Sequence, residues 1–205
     1  MIDTPSVAAS WQRIDAWMAK HAPDSFRLLN PPVSAKDLAA AEKALGIAFP
    51  SSLRESLGCH DGLDRWANVM PERPPLSAEK IVEHWEMCME INEDLDEDDE
   101  DGEEPWWHAL WIPFAESDGD AQVLDMRPGP KQGRLGRAYH DAGGDFTDAW
   151  PDLASYLHTT AEALYSGGAV GRWHAYLTVD GELWWSTEGE TELNGKPLTP
   201  APVGL

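Results

Sequence analysis

The hydrophobic period of this chain changes once, near residue 105, and that change sets its architecture. Before it, apolar residues recur every three to four positions, as on one face of a helix. Val7, Trp11, Ile14 and Met18 follow that spacing behind Ser6, so residues 7 to 21 are predicted as an amphipathic helix capped by the serine. Pro23, Pro31 and Pro32 then interrupt the chain. Ser34 with Asp37 has the spacing of a capping box, and Leu38, Ala41 and Leu45 form the inward stripe of a second helix. Gly46 stands where a left-handed cap belongs, Ile47 and Phe49 point to the core, and Pro50 restarts a short helix bearing Leu53 and Leu57. Ser77 caps another helix with Ile81, Trp85 and Cys88 on one face.

After residue 105 the apolar runs are short and separated by Gly, Pro and Asp, as in ALWIPFAES, AQVLDMR and LGRAYHD. Connections this short cannot hold crossover helices, so an antiparallel meander is predicted. Pro151-Asp152 opens a last helix with Leu153, Tyr156, Leu157, Ala161 and Leu164 on its apolar side, and Gly167-Gly168 closes it. In GRWHAYLTVDGELWWSTEG, Asp180-Gly181 is a two-residue hairpin signal. Such a turn puts Trp173, Ala175, Leu177 and Val179 on one face with Trp184, and Tyr176 and Trp185 on the other. The proline-containing tail from Lys196 is expected to be irregular. The fold class is α+β: an antiparallel sheet of several strands flanked by N-terminal and C-terminal helices, with an appended C-terminal β-hairpin. Residues 1–168, with an acidic loop at 93–105, are expected to form one α+β domain, and 169–205 a hairpin extension and tail. Leu38, Leu45, Phe49, Leu53, Trp111, Phe114, Leu157 and Leu164 are expected in one core.

A formal net charge of -22 argues strongly against nucleic acid and an anionic membrane as partners. Nucleic acid needs clustered Lys and Arg, and an anionic membrane surface repels such a chain. No apolar run is long enough to cross a bilayer, and the N-terminus lacks the features of a secretory signal. Cys59 and Cys88 form no Cys-x-x-Cys pair, so free thiols in a reducing, cytoplasmic setting are expected. The charge favours a basic protein partner instead.

Catalysis has one candidate pair, His60-Asp61. No nucleophile signature stands near it, and Asp61-Gly62 has the chemistry of a helix-ending turn. An enzyme would need His60, Asp61 and His140 to converge in a deep pocket, so no catalytic residue is assigned. The acidic run fails as an EF-hand loop, because setting Glu97, Asp99 and Asp101 before Gly102 puts His108 where the closing glutamate belongs. His84 and Cys88 are one helical turn apart without a second ligand pair, so no metal and no cofactor is expected. The partner-binding candidates are Asp94, Asp96, Asp98, Asp99, Asp101, Glu103 and Glu104 of the acidic run, Trp106 and Trp107 beside it, and Tyr176 and Trp185 of the hairpin. Of the doubled tryptophan, one ring is expected in the core and the other partly exposed.

The stretch PPVSAKDLAAAEKALGIAFPSSLRESLGCHDG resembles the N-terminal signature of the SUKH superfamily, through Ala41, Glu42, Leu45, Gly46, Phe49, Pro50, Leu53, Asp61 and Gly62. Trp106 to Ala115, with Gly119-Asp120 and Leu124-Asp125, is similar to the first strands of its bacterial branch, and Trp150 to Leu157 to its closing helix. The likeness runs from about residue 11 to 166. It implies a non-catalytic α+β domain that binds proteins. In bacteria this implies an immunity protein that neutralises a cognate toxin, here a basic one; in the fungal branch it implies a regulatory adaptor of cell-wall synthesis. The aromatic hairpin equally suits a homodimer.

Overall fold

The computed structural model describes residues 6–95 and 104–205. Helix α1, Val7–His21, starts where Ser6 accepts a hydrogen bond from the Ala9 amide, and it buries Trp11, Ile14, Trp17 and Met18. A short turn of helix, α2 (Pro23–Phe26), follows where the prolines predicted only a break; Pro23 at its first position is compatible with a helix start. In α3, Ala35–Leu45, Ser34 caps the Asp37 amide and Gly46 ends the helix at φ 68°. Helix α4, Ser51–Leu57, buries Leu53 and Leu57. In α5, Ala78–Asp94, Ser77 receives the Lys80 amide, while Ile81, His84 and Cys88 face inward. The starts of α1, α3 and α5 follow from local serine caps, which is why the sequence pattern locates them.

Strands β1 (Trp111–Ser117), β2 (Asp120–Asp125), β3 (Leu135–Tyr139) and β4 (Gly143–Trp150) form an antiparallel meander in chain order. β1 and β2 are nearly continuous in burial because both their faces are covered. Ile112, Phe114, Leu124 and Leu135 enter the main core with α1, α4 and the last long helix, α6 (Leu153–Ser166). Trp111, Ala121, Val123 and Ala138 form a separate cluster with Cys88 and Trp107. The expected single core is therefore two, with Trp111 in the second, and Leu38 is half-buried at the margin of the first. β4 was absent from the sequence pattern because it is a polar edge strand, with little apolar alternation. It fits by a close approach: a side chain on Gly136 would meet the Phe146 ring at 2.2 Å. At the other edge, β1 bulges between Pro113 and Ala115, where proline cannot donate, and its Phe114 carbonyl accepts from Leu76 at 2.9 Å.

The C-terminal hairpin corrects one expectation through a single residue. β5 (Trp173–Leu177) and β6 (Leu183–Thr187) pair Ala175 with Trp185 and Tyr176 with Trp184. Thr178 N donates to Glu182 O, Gly181 N donates to Thr178 O, and Gly181 takes φ 80°. The loop therefore holds residues 179–181, a three-residue turn closed by a left-handed glycine. One added loop residue exchanges the two faces. Trp185 turns into the main core beside Leu183, and Trp184 shares the other face with Tyr176. Asp118-Gly119, by contrast, makes the two-residue turn, with both residues at positive φ between paired Ser117 and Asp120.

The tail is ordered as well. After the small β7–β8 hairpin (Glu192–Leu193 with Lys196–Pro197), β9 (Thr199–Pro200) adds to β5 as a third strand. The Trp17 indole N–H then donates to Pro202 O at 3.0 Å, and Gly204 N donates to Leu164 O at 3.1 Å. Prolines are tolerated here because the strand lies at a sheet edge. Among the described residues no helix is long and apolar enough to cross a membrane.

Leu45→Ala is expected to cost about 2–5 kcal/mol, because the side chain is buried at the end of α3. The exposed Val179→Ala should stay within about 0.5 kcal/mol of wild type. Urea midpoints compare the two directly, and equal midpoints would contradict this core assignment.

Candidate functional site

His60, Asp61 and Gly62 follow α4 and join four segments of chain. Asn30 N donates to Gly62 O and Asp61 N to Pro31 O, at 3.0 and 3.2 Å. The Asp61 carboxylate accepts from Ala78 N at 2.7 Å, at the first turn of α5. Gly62 sits at φ 67°, and a β-carbon there would lie 2.4 Å from Ser77 N. His60 Nδ1 donates to Asn30 O at 3.0 Å, and Nε2 donates to the Asp15 carboxylate of α1 at 3.0 Å. With both ring nitrogens facing acceptors, the surroundings favour the protonated imidazole. Burial alone would lower its pKa, but the bonds to Asp15 and Asn30 outweigh that and raise it. Trp11 packs edge-on at 5.0 Å and finishes the enclosure.

This geometry uses the histidine structurally, as the turn chemistry predicts. His140 belongs to another network: it bonds Asp120 at 2.8 Å and is 60% exposed, not sunk in a deep pocket with His60. Burial pushes the Cys88 thiol up to about 12, and burial with nearby Asp15 and Glu55 raises Cys59, so neither is a ready thiolate. Cys88 lies 3.5 Å from His84 Nε2 as a buried core residue on the α5 stripe.

The partner-binding candidates separate into three groups. Asp96, Asp98, Asp99, Asp101 and Glu103 lie outside the described residues, and Asp94 is exposed at the end of α5. Glu104 is an internal group: it pairs with Arg127 at 2.7 Å and Arg134 at 3.1 Å. Both arginines also hold the buried Asp125, and Arg134 covers the Phe146 ring at 3.9 Å. Burial would raise the Asp125 pKa, but the arginine bonds lower it; for Glu104 the Arg127 bond is the leading cause of a lowered value.

The tryptophan pair divides as expected. Trp106 is half-buried, its indole N–H donating to His140 O at 2.9 Å, while Trp107 is only 4% exposed against Trp111 and His84. Tyr176 at 9% and Trp185 at 1% are buried too, so the rings of Trp107, Tyr176 and Trp185 do not stand at the surface. The altered hairpin register puts Trp185 inside, and β9 covers the flank at Tyr176.

Two features lay outside the sequence expectations. Trp66, in the loop between α4 and α5, is 57% exposed, and its ring meets Trp184 edge-on at 6.0 Å. Its signal in the sequence was its place, between Arg65 and Asn68 and outside any periodic segment. Close by, Glu72, Arg73, Ser117, Asp118, Asp120, Arg137, Tyr139, Asp148, Arg172 and Trp173 line an open polar cleft of about 520 Å³. Glu72 stands at φ 73° outside any hairpin turn, and its carboxylate is gripped by Arg73 and Arg137 at 2.6 and 2.5 Å. A glutamate persists in that conformation only where its surroundings fix it.

Residues 32–159 match the model of the SMI1 / KNR4 family (SUKH-1). The chain is 32% identical over 92 residues to a glucan synthesis regulatory protein of Neurospora crassa, covering 43% of this chain and 17% of that protein. It is 45% identical over 53 residues to a KNR4/SMI1 homolog of Kluyveromyces lactis, covering 26% of this chain and 10% of that protein. It is 36% identical over 53 residues to the cell wall assembly regulator SMI1 of Saccharomyces cerevisiae, with the same two shares of 26% and 10%. The chain thus spans less than a fifth of the length of these curated relatives.

Gly62→Ala is expected to destabilise the protein by more than about 2 kcal/mol, since the substitution adds both a positive-φ penalty and a backbone clash. Thermal unfolding measures it, and a wild-type melting temperature would contradict the close approach of this turn to α5.

Proposed function

This chain belongs to the SMI1 / KNR4 family (SUKH-1), and from that premise we propose that it is a non-catalytic protein-binding module that neutralises a cognate bacterial toxin in the cytoplasm. The observation that carries the reading is the charge distribution. From Ile81 to Met126 there is no Lys or Arg, while eleven acidic residues stand between Glu90 and Glu104. Like charges at that density repel one another, and a basic partner relieves the repulsion. Exposed charges act over about 8 Å at physiological ionic strength, so they govern the encounter more than the lifetime of a complex. Asp94 belongs to this run and the half-buried Trp106 adjoins it, whereas Glu104, Trp107, Tyr176 and Trp185 have contacts within the fold. The module needs no cofactor for this role, and the enclosed imidazole of His60 supports the non-catalytic reading.

A second reading, a regulatory adaptor without a toxin, is favoured by the printed names of the fungal relatives, which describe glucan synthesis regulation and cell wall assembly. A toxin gene beside this one separates the two readings.

Replacing Asp96, Asp98, Asp99 and Asp101 with Asn should slow association with the neighbouring toxin about tenfold at low salt and flatten its salt dependence. Stopped-flow kinetics at two ionic strengths reads both effects. A wild-type association rate at low salt would remove the acidic run from the encounter. A toxin that the wild-type chain neither binds nor neutralises in co-expression would sink the immunity reading.

A further inference from the structure

We propose that Trp66 anchors the docking surface for the toxin, and that the occupant is a segment bearing Lys or Arg beside an apolar side chain. The inference rests on the immunity reading for its partner and names the surface that the reading leaves open. Trp66 is the one tryptophan among the described residues with more than half its surface exposed. Tryptophan, with tyrosine and arginine, is enriched among the residues that anchor the centres of interfaces. Its ring is preorganised: Trp184 packs against it at 6.0 Å, and its indole N–H donates to Ser117 Oγ at 3.3 Å. A preset ring loses little rotamer freedom when a partner arrives.

The chemistry of the occupant comes from the cleft beside the ring. Ser117 lies on the lip of that cleft and its hydroxyl passes a hydrogen bond on to Asp118 Oδ2 at 3.3 Å. Within the cleft, Arg73 and Arg137 are spent on Glu72, and Arg73 also on Asp120. Arg172 stacks on the Trp173 ring at 5.1 Å. Asp118 and Asp148 are exposed, and among the described residues neither has a cation within ion-pair distance. A basic side chain of the partner fits these two carboxylates, and its apolar neighbour, or the face of a guanidinium, fits the Trp66 ring. Glu72, at φ 73°, holds both paired arginines on the cleft wall.

The test uses the full-length, ¹⁵N-labelled chain and three probes: a nine-residue peptide alternating Leu and Arg, its Leu–Glu counterpart, and the neighbouring toxin. The Leu–Arg peptide should shift the Trp66 indole resonance and the amides of Asp118 and Asp148, and the Leu–Glu peptide should not. Trp66→Ala should weaken peptide and toxin binding about tenfold or more, mainly through faster dissociation, with the dispersion of the spectrum unchanged. Asp118→Asn with Asp148→Asn should weaken binding less and reduce its salt dependence. Three results would overturn the proposal: shifts gathered on the acidic face of α5 instead of Trp66, toxin binding by Trp66→Ala at wild-type strength, or Trp66 shifts that follow protein concentration without peptide, which would assign the surface to a second copy of the chain. A toxin that binds neither protein defeats the immunity reading, and the peptide shifts then judge the surface independently.

Discussion

The fold depends on one turn. His60, Asp61 and Gly62 bind Asp15 of α1, Asn30 and Pro31 of the segment before α3, and Ala78 at the start of α5. Each bond is local and ordinary, but together they tie α1, the segment before α3 and the start of α5 to one turn, beside the core that the same helices share. Burial makes the arrangement strict. The imidazole is half-buried behind Trp11, and removing Asp15 would take away the carboxylate that Nε2 faces. The same residues that offered the best catalytic pair in the sequence are therefore committed to holding the helical layer together.

Charge follows a related rule. The chain has 15 Lys and Arg against 37 Asp and Glu, and its partly buried arginines are used inward. Arg127 and Arg134 seal Asp125 and Glu104 over the Trp111 and Phe146 rings, and Arg73 and Arg137 hold Glu72. The guanidinium suits this work, since it bonds a carboxylate while lying flat on an aromatic ring. The long-range field is set separately, by a net charge of -22 that no internal pairing changes.

What was legible in the sequence was whatever a local rule determines. Ser6, Ser34 and Ser77 cap helices, Gly46 and Gly167 end them, and the apolar stripes turn inward. What escaped depended on non-local partners. β4 is polar because it is an edge, and the prolines of β9 find a place only because β5 offers one. Asp180-Gly181 and Asp118-Gly119 are the same dipeptide in two loops of different length, and that single residue sends Trp185 inward and Trp184 to the opposite face. Trp66 lies in a loop without period, so only its neighbours in space mark it. For the same reason the hairpin pattern did not show that Trp185 lies in the main core.

The central claim is that the His60 imidazolium, bonded to Asp15, clamps the helical layer. A double-mutant cycle of Asp15→Ala and His60→Ala, measured by urea unfolding across pH, tests it most directly. Because the folded pKa of His60 is raised, the coupling is fully present below the free imidazole value of about 6.5 and is lost as pH rises through the folded value. We predict a coupling of about 1–3 kcal/mol at acidic pH that falls away above that point. A coupling that is near zero at acidic pH, or that does not change with pH, would contradict the clamp.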